Sequence, residues 1–181
     1  MKQPDKYVYR YGELTLTDKI KTNYGISFVR KYIDQNDNRE YYLCKYIFKL
    51  QKQFVNLNNI VRILKVTKKY YDQEYLIDVS KLNFTKKSHV KDVRNAIRQL
   101  NDVGIIYLDL KDDNIGYSMN DNKWKIFDFD SSAIYFNNRW IIPPPYYKKN
   151  QMKLSNNPYS IDGILLSKLV GSENYRKSIS Y

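Results

Sequence analysis

The sequence predicts an α+β fold, with a β-rich first half and a mostly helical second half. Apolar and polar residues alternate through much of residues 7–33, which is the pattern of half-buried strands. In residues 43–54, and again in residues 88–103, apolar residues recur at the three- and four-residue spacing of amphipathic helices. The 181-residue chain is 43% hydrophobic and 15% aromatic, so it has enough apolar surface to build a folded core.

In the first half, strands are predicted around one packed helix. Residues 36–38, N-D-N, are of the types that cap the start of a helix, and an apolar stripe runs from Leu43 to Phe54 after them. The single cysteine, Cys44, lies beside this stripe and is expected to pack there. Two or three strands are expected within residues 7–20 and 25–33, and further strands at residues 61–66 and 74–79.

Near Lys81 the sequence pattern changes from one typical of strands to one that is mostly typical of helices. Residues 88–103 predict a helix that Gly104 stops, and residues 159–170 predict a last amphipathic helix. Between them, three consecutive prolines at residues 143–145 predict an extended loop over residues 139–147. We therefore expect residues 1–80 and 81–181 to form the two parts of one small bilobal unit. His89 is expected at the surface or at a helix start.

Composition narrows the classes of function. One cysteine excludes an intramolecular disulfide and fits a reducing compartment. No apolar stretch approaches the roughly 18–20 residues of a membrane span, and the first residues do not resemble a signal peptide, so a cytoplasmic protein is expected. The net charge of +12 would attract nucleic acid, anionic membrane or acidic protein. A nucleic-acid partner is supported by this charge alone, because zinc-binding spacing and RNA-binding aromatic motifs are absent from the sequence.

The most informative segment carries chemistry-bearing residues on two strand–turn units. Residues 105–116 read I-I-Y-L-D-L-K-D-D-N-I-G, and residues 124–130 read W-K-I-F-D-F-D. Phosphoryl transfer from a magnesium nucleotide needs a carboxylate for the incoming hydroxyl, a cation near the γ-phosphate and oxygen ligands for the metal. Asp109, Lys111, Asn114 and Asp128 are residues of these kinds.

The order and spacing of these residues resemble the catalytic loop and metal-binding segment of eukaryotic-type protein kinases, H-R-D-L-K-x-x-N and D-F-G. The resemblance implies a bilobal fold, with an N-lobe over residues 1–80 and a shortened C-lobe over residues 81–181. It implies that Asp109 orients and deprotonates a substrate hydroxyl and that Lys111 neutralises the transferring phosphoryl group. Asn114 and Asp128 would hold Mg²⁺ or Mn²⁺.

Weaker similarities extend from both sides of these motifs. Residues 28–33, F-V-R-K-Y-I, are similar to the kinase strand that carries the nucleotide-binding lysine, here Lys31. Residues 56–66 look like the stretch after the regulatory helix. Residues 74–79 look like the hinge, whose backbone at Asp78 and Val79 would hold the adenine of ATP. The last predicted helix resembles the one whose aspartate, here Asp162, braces the catalytic loop.

The chain also departs from the kinase pattern. Only Gly12 and Gly25 lie where a glycine-rich phosphate loop is expected, so weak ATP binding is predicted. Glu40 lies on the helical stripe about two turns before the usual glutamate partner of the nucleotide lysine, and it is the available substitute. Leu108 replaces an arginine, which predicts a kinase that needs no activating phosphorylation. Asp130 replaces the glycine of D-F-G.

Three functions fit this pattern. The first is a minimal serine/threonine protein kinase that uses ATP and Mg²⁺ and acts on a protein substrate; Lys111, two residues after Asp109, favours serine/threonine over tyrosine specificity. The second is a pseudokinase-like binding module that docks on a partner protein. The third is a small-molecule phosphotransferase. A compact chain rich in Asn, Lys, Ile and Tyr would suit a large DNA virus, in which case the location is the host cytoplasm.

Overall fold

The computed structural model describes residues 6–9, 15–22, 25–34, 38–78 and 86–171. The chain divides into two compact units, one made of Met1–Val55 and Val61–Tyr75, and the other of Asn56–Ile60 and Leu76–Tyr181. Within the described residues the fold is a mixture of small antiparallel sheets and four α-helices, which confirms the α+β class. The kinase-like assignment of the two lobes stays a prediction.

The first unit contains a five-stranded antiparallel sheet. Its strands are β1 (Lys6–Tyr9), β2 (Thr15–Thr22), β3 (Gly25–Tyr32), β4 (Ile63–Val66) and β5 (Tyr70–Glu74), in the spatial order β1-β2-β3-β5-β4. The prediction of one strand over residues 74–79 was wrong, because β5 ends at Glu74 and a separate strand begins at Ile77.

Strand β5 was missed because three of its four buried residues, Asp72, Gln73 and Glu74, are polar or charged. Arg30 pairs with Asp72 through two hydrogen bonds of 2.8 and 3.0 Å, and the main-chain N–H of Arg62 donates to Glu74 at 2.7 Å. These partners satisfy carboxylates that would otherwise be costly to bury. A hydrophobic periodicity cannot detect a strand whose burial depends on such pairing.

Helix α1 (Arg39–Lys52) packs against this sheet. It begins directly after Asn38, at the predicted cap position, although the Asn38 side chain makes no capping hydrogen bond. Leu43, Cys44 and Ile47 are fully buried, as the stripe predicted. Phe54 was wrongly placed on that stripe: it follows the end of the helix at φ 58° and its side chain is 95% exposed.

The second unit contains two three-stranded sheets and three helices. In chain order the strands are β6 (Ile77–Asp78), β7 (Ile105–Ile106), β8 (Ile115–Ser118), β9 (Lys123–Ile126), β10 (Ala133–Phe136) and β11 (Arg139–Ile142). The helices are α2 (Lys86–Asp102), α3 (Lys149–Met152) and α4 (Ser160–Gly171). One sheet has the order β6-β8-β9 and the other β11-β10-β7.

The predicted helices of this half are present as α2 and α4. Gly104 follows α2 with φ 79°, and its N–H donates to Asn101 O at 3.0 Å. A Cβ at Gly104 would lie 2.3 Å from Phe136 Cδ2, so both backbone conformation and space require glycine.

Two other predictions for this half were wrong. Arg139–Ile142 is a strand that pairs with β10, and the irregular chain begins only at the prolines, which cannot continue a ladder. His89 is buried rather than exposed, because its ring lies against Trp124 with the ring centroids 4.5 Å apart. No helix within the described ranges is long and apolar enough to cross a membrane.

Candidate active site

The candidate site begins where β7 ends, at a tightly bent stretch of main chain. Leu108 has φ 65° and is fully buried, which is an unusual conformation for a bulky residue and costs of the order of 1–3 kcal/mol. The conformation is held by Asp162 of α4. Its two carboxylate oxygens accept hydrogen bonds from the main-chain N–H groups of Tyr107 at 2.7 Å and Leu108 at 2.9 Å.

Asp162 lies entirely in the interior, in contact with the loop that it braces. Burial raises the pKa of its carboxyl to about 6; the hydrogen bonds from the backbone of Leu108 and Tyr107 and from the side chain of Asn101 oppose this shift but do not outweigh it. The sequence resemblance implied a bracing aspartate at this position. The structure shows the contact itself.

Asp109 follows this bend, and its carboxylate lies among three nitrogen donors. Lys148 Nζ lies 2.8 Å from Oδ1, while Lys111 Nζ and Asn114 Nδ2 donate to Oδ2, the latter at 2.8 Å. Asn114 Nδ2 also donates to the main-chain oxygen of Asp109 at 2.9 Å. Burial alone would raise the pKa of Asp109, but the hydrogen bonds from Lys111 and Lys148 outweigh it and lower the pKa to about 2.

Lys148 is the member of this cluster that sequence reasoning missed. It ends the short 3₁₀ turn Tyr146–Lys148 after the three prolines, and it is 8% exposed. A lysine rarely lies so deep without a carboxylate partner. Its partner is 39 residues away in the sequence, so no spacing rule connects the two. The signal that the sequence offered was the run of three prolines before Lys148, which fits neither a helix nor a regular strand.

The two predicted metal ligands are joined through the hairpin β8–β9. Ile115 pairs with Ile126, and beyond that pair the N–H of Phe127 donates to Asn114 O at 3.1 Å. Asp128 comes next, half-buried, with φ 66°. The candidate site therefore holds two residues at positive φ, of which the bulky Leu108 is the more unusual.

The donor chemistry of these two residues fits a hard divalent cation. Asn114 is 3% exposed and commits its amide nitrogen to Asp109, while no hydrogen bond reaches its Oδ1 from the described part of the chain. One amide oxygen and one carboxylate suit Mg²⁺, which commonly takes few protein ligands and completes its shell with phosphate oxygens and water. Among the described residues, no group of three or more His, Cys, Asp and Glu side chains could hold a metal.

Tyr107 connects the segment before Asp109 with the segment around Asp128. Its hydroxyl donates to Phe127 O, its ring lies edge-on to Phe129 with centroids 5.9 Å apart, and its main-chain oxygen accepts from Ser132 Oγ at 3.0 Å. Asp130, at the position of the usual glycine, accepts from Ser131 Oγ at 2.9 Å. The segments on either side of Asp128 are therefore fastened to the residues immediately before Asp109.

In the first unit the structure brings together Lys31 and Glu40. Lys31 Nζ lies 2.6 Å from Glu40 Oε1, which also accepts a hydrogen bond of 3.2 Å from the hydroxyl of Tyr71. Glu40 is in the first turn of α1, and all three residues are buried. Glu40 therefore pairs with Lys31, and its role as the substitute for the usual kinase glutamate stays a prediction.

The remaining predicted nucleotide contacts are only partly described. Asp78 is the last residue of β6, where it pairs with Gly116 of β8. Val79 and Gly12 lie outside the described residues.

Comparison of the sequence with known protein families found no family model that matches it, and comparison with curated proteins found no match.

Proposed function

We propose that this protein is a minimal, bilobal serine/threonine protein kinase that transfers the γ-phosphate of ATP to a protein hydroxyl. The observation that carries the proposal is the Asp109 cluster: a carboxylate that accepts hydrogen bonds from a lysine two residues later and from an amide five residues later. A polar turn selected only for shape has no need to bring a strongly acidic carboxylate and two ammonium groups together in a half-buried position.

Asp109 would act mainly by orientation. With a pKa of about 2 its carboxyl is ionised at neutral pH and is a weak base, so it is suited to accept a hydrogen bond from the substrate hydroxyl and align it. The hydroxyl proton would pass to the carboxylate late, as the oxygen loses its basicity on bonding to phosphorus. Lys111 would supply positive charge beside the transferring group.

Asn114 and Asp128 would hold the metal through oxygen atoms, and Lys31 would contact the nucleotide's α- and β-phosphates while Glu40 fixes its ammonium group. The backbone at Asp78 and Val79 would contact adenine. Magnesium ATP, when bound, supplies the phosphoryl group and the cation that neutralises its charge. The sparse glycines of the phosphate loop predict that nucleotide binding is weak.

The proposal is tested by transfer of labelled γ-phosphate to the protein itself and to generic acidic and basic proteins, with Mg²⁺ or Mn²⁺. Wild type is compared with Asp109→Ala and Asp128→Asn, each checked for a native unfolding transition. We expect incorporation by the wild type, and a loss of at least about 1,000-fold in both variants, as for groups that act as a catalytic unit. A folded wild type that neither binds nucleotide nor transfers phosphate would contradict the proposal and favour the pseudokinase-like binding module.

A further inference from the structure

Two lysines share the carboxylate of Asp109, and they approach different oxygens. Lys111 lies on the Oδ2 side with Asn114, and Lys148 holds Oδ1 at 2.8 Å. We propose that Lys148 is a positioning residue for phosphoryl transfer, which keeps the Asp109 carboxylate in a fixed orientation while Lys111 is engaged by the phosphoryl group. This inference rests on the proposed function.

Donors lie on both oxygens of the Asp109 carboxylate. Lys111 and Asn114 donate to Oδ2, and Lys148 donates to Oδ1. If Lys111 turns toward a phosphoryl group, Asn114 still holds Oδ2 and Lys148 still holds Oδ1. Without Lys148, the carboxylate would lose the ammonium group that holds its Oδ1.

The segment that carries Lys148 has a well-defined backbone conformation, which fixes the position of the side chain. Proline rings fix φ through residues 143–145, and the N–H of Lys148 donates to Pro145 O at 2.9 Å, which closes the 3₁₀ turn. Tyr147, the preceding residue, places its hydroxyl 3.2 Å from Ser131 Oγ. The turn is thus fastened to the segment after Asp128 as well as to Asp109.

Lys149 provides a matched control. It is the next residue, carries the same charge and is exposed, and its ammonium group lies 4.3 Å from the centre of the Tyr146 ring rather than beside Asp109. An effect of overall charge or of the segment's basic character should appear equally at both positions. An effect of positioning should appear at Lys148 alone.

The experiment replaces each lysine by cysteine in a Cys44→Ala background, since Cys44 is the only native cysteine, and measures transfer before and after S-aminoethylation. Aminoethylation rebuilds a lysine-like ammonium group at the introduced thiol. For Lys148→Cys we expect kcat to fall about 10- to 100-fold with the KM for ATP within about twofold, since misplacement of a reacting group affects the chemical step. Alkylation should restore most of kcat, and Lys149→Cys should stay within about twofold of its parent throughout.

Equal kcat values for the two cysteine variants would overturn the inference, and so would a folded Lys148→Cys whose activity alkylation does not restore. If that variant does not fold, Lys148→Arg decides the matter: native-like unfolding with kcat within about tenfold of wild type supports a positioning cation, whereas a larger loss overturns it. A wild type that folds but transfers no phosphate would instead contradict the proposed function itself, which separates the two failures.

Discussion

Two aspartates of the second unit, the half-buried Asp109 and the fully buried Asp162, adjoin the same main-chain bend at Tyr107 and Leu108 but have opposite environments. Asp109 is surrounded by lysine and amide donors, and its pKa is lowered to about 2. Asp162 is surrounded by the interior and by main-chain N–H groups, and its pKa is raised to about 6. The comparison teaches that two ammonium groups keep the half-buried Asp109 carboxylate ionised, whereas at Asp162 burial outweighs the amide donors and the carboxylate serves to hold the backbone.

The largest effect on stability is expected from Asp162→Ala. The change removes the acceptor for the N–H groups of Tyr107 and Leu108 and leaves a cavity. Since each unsatisfied buried donor costs about 1–3 kcal/mol, we expect the free energy of unfolding to fall by about 3–5 kcal/mol at pH 5. The fall should be smaller at pH 7, where removing Asp162 also removes the cost of holding an ionised carboxylate in the interior.

Urea unfolding measures this difference, with Ser167→Ala as the control on the same helix. Ser167 is exposed and its hydroxyl donates to Gly163 O, so its removal should change the unfolding free energy by no more than about 0.5 kcal/mol. If Asp162→Ala lowered the unfolding free energy no more than Ser167→Ala does at both pH values, Asp162 could not be the residue that stabilises the main-chain bend at Leu108.

The next effect is a dependence of stability on pH. The folded-state pKa of Asp162 lies above its ordinary value of 3.8, at about 6, so between these values the folded protein binds more protons than the unfolded chain. The contribution of Asp162 to stability is therefore greatest below about pH 4 and is lost as the pH rises through 6. At about 1.4 kcal/mol per pKa unit, the loss is roughly 3 kcal/mol.

This dependence is measured as the difference in unfolding free energy between wild type and Asp162→Asn from pH 4 to pH 7.5. The amide does not titrate, so the wild type should lose stability relative to the variant as the pH rises. A difference that stays constant across the range would show that burial does not raise the pKa of Asp162.

The smallest effect is expected in the first unit, where Glu40 accepts from the Lys31 ammonium group and from the Tyr71 hydroxyl. Tyr71→Phe removes only the hydroxyl, whose hydrogen bond to Glu40 is 3.2 Å long, and leaves the Lys31 pair in place. We expect the unfolding free energy to fall by about 1 kcal/mol. A loss above about 3 kcal/mol in thermal or urea unfolding would mean that Glu40 depends on the hydroxyl rather than on Lys31.

Local patterns predicted much of the fold because they depend on neighbours in sequence. The stripe from Leu43 to Ile47 and the stop at Gly104 follow from helical periodicity and from a glycine at positive φ. The same reasoning missed β5, since most of its buried residues are charged or polar, and two of them, Asp72 and Glu74, are paired with Arg30 and the Arg62 backbone. It also missed the hairpin β10–β11, since the three prolines led us to predict a loop over residues 139–147.

The sequence likewise predicted some residues of the candidate site and missed others. Lys111 and Asn114 of one short motif both donate to Asp109, and the spacing of these residues was enough to group them. Lys148 was missed because only the tertiary fold brings it to Asp109. Glu40 was found as a substitute by helical phase, but the pairing with Lys31 needed the packing of α1 on the sheet.

The most direct test of the account is phosphoryl transfer by Asp109→Asn, measured on protein whose unfolding curve shows that it is folded. Asparagine keeps the shape of the side chain and one acceptor but removes the charge. We predict that transfer falls by at least about 1,000-fold while the free energy of unfolding changes by no more than about 2 kcal/mol. Transfer within about tenfold of wild type would contradict the account, because the carboxylate at the centre of the site would then have no part in the reaction.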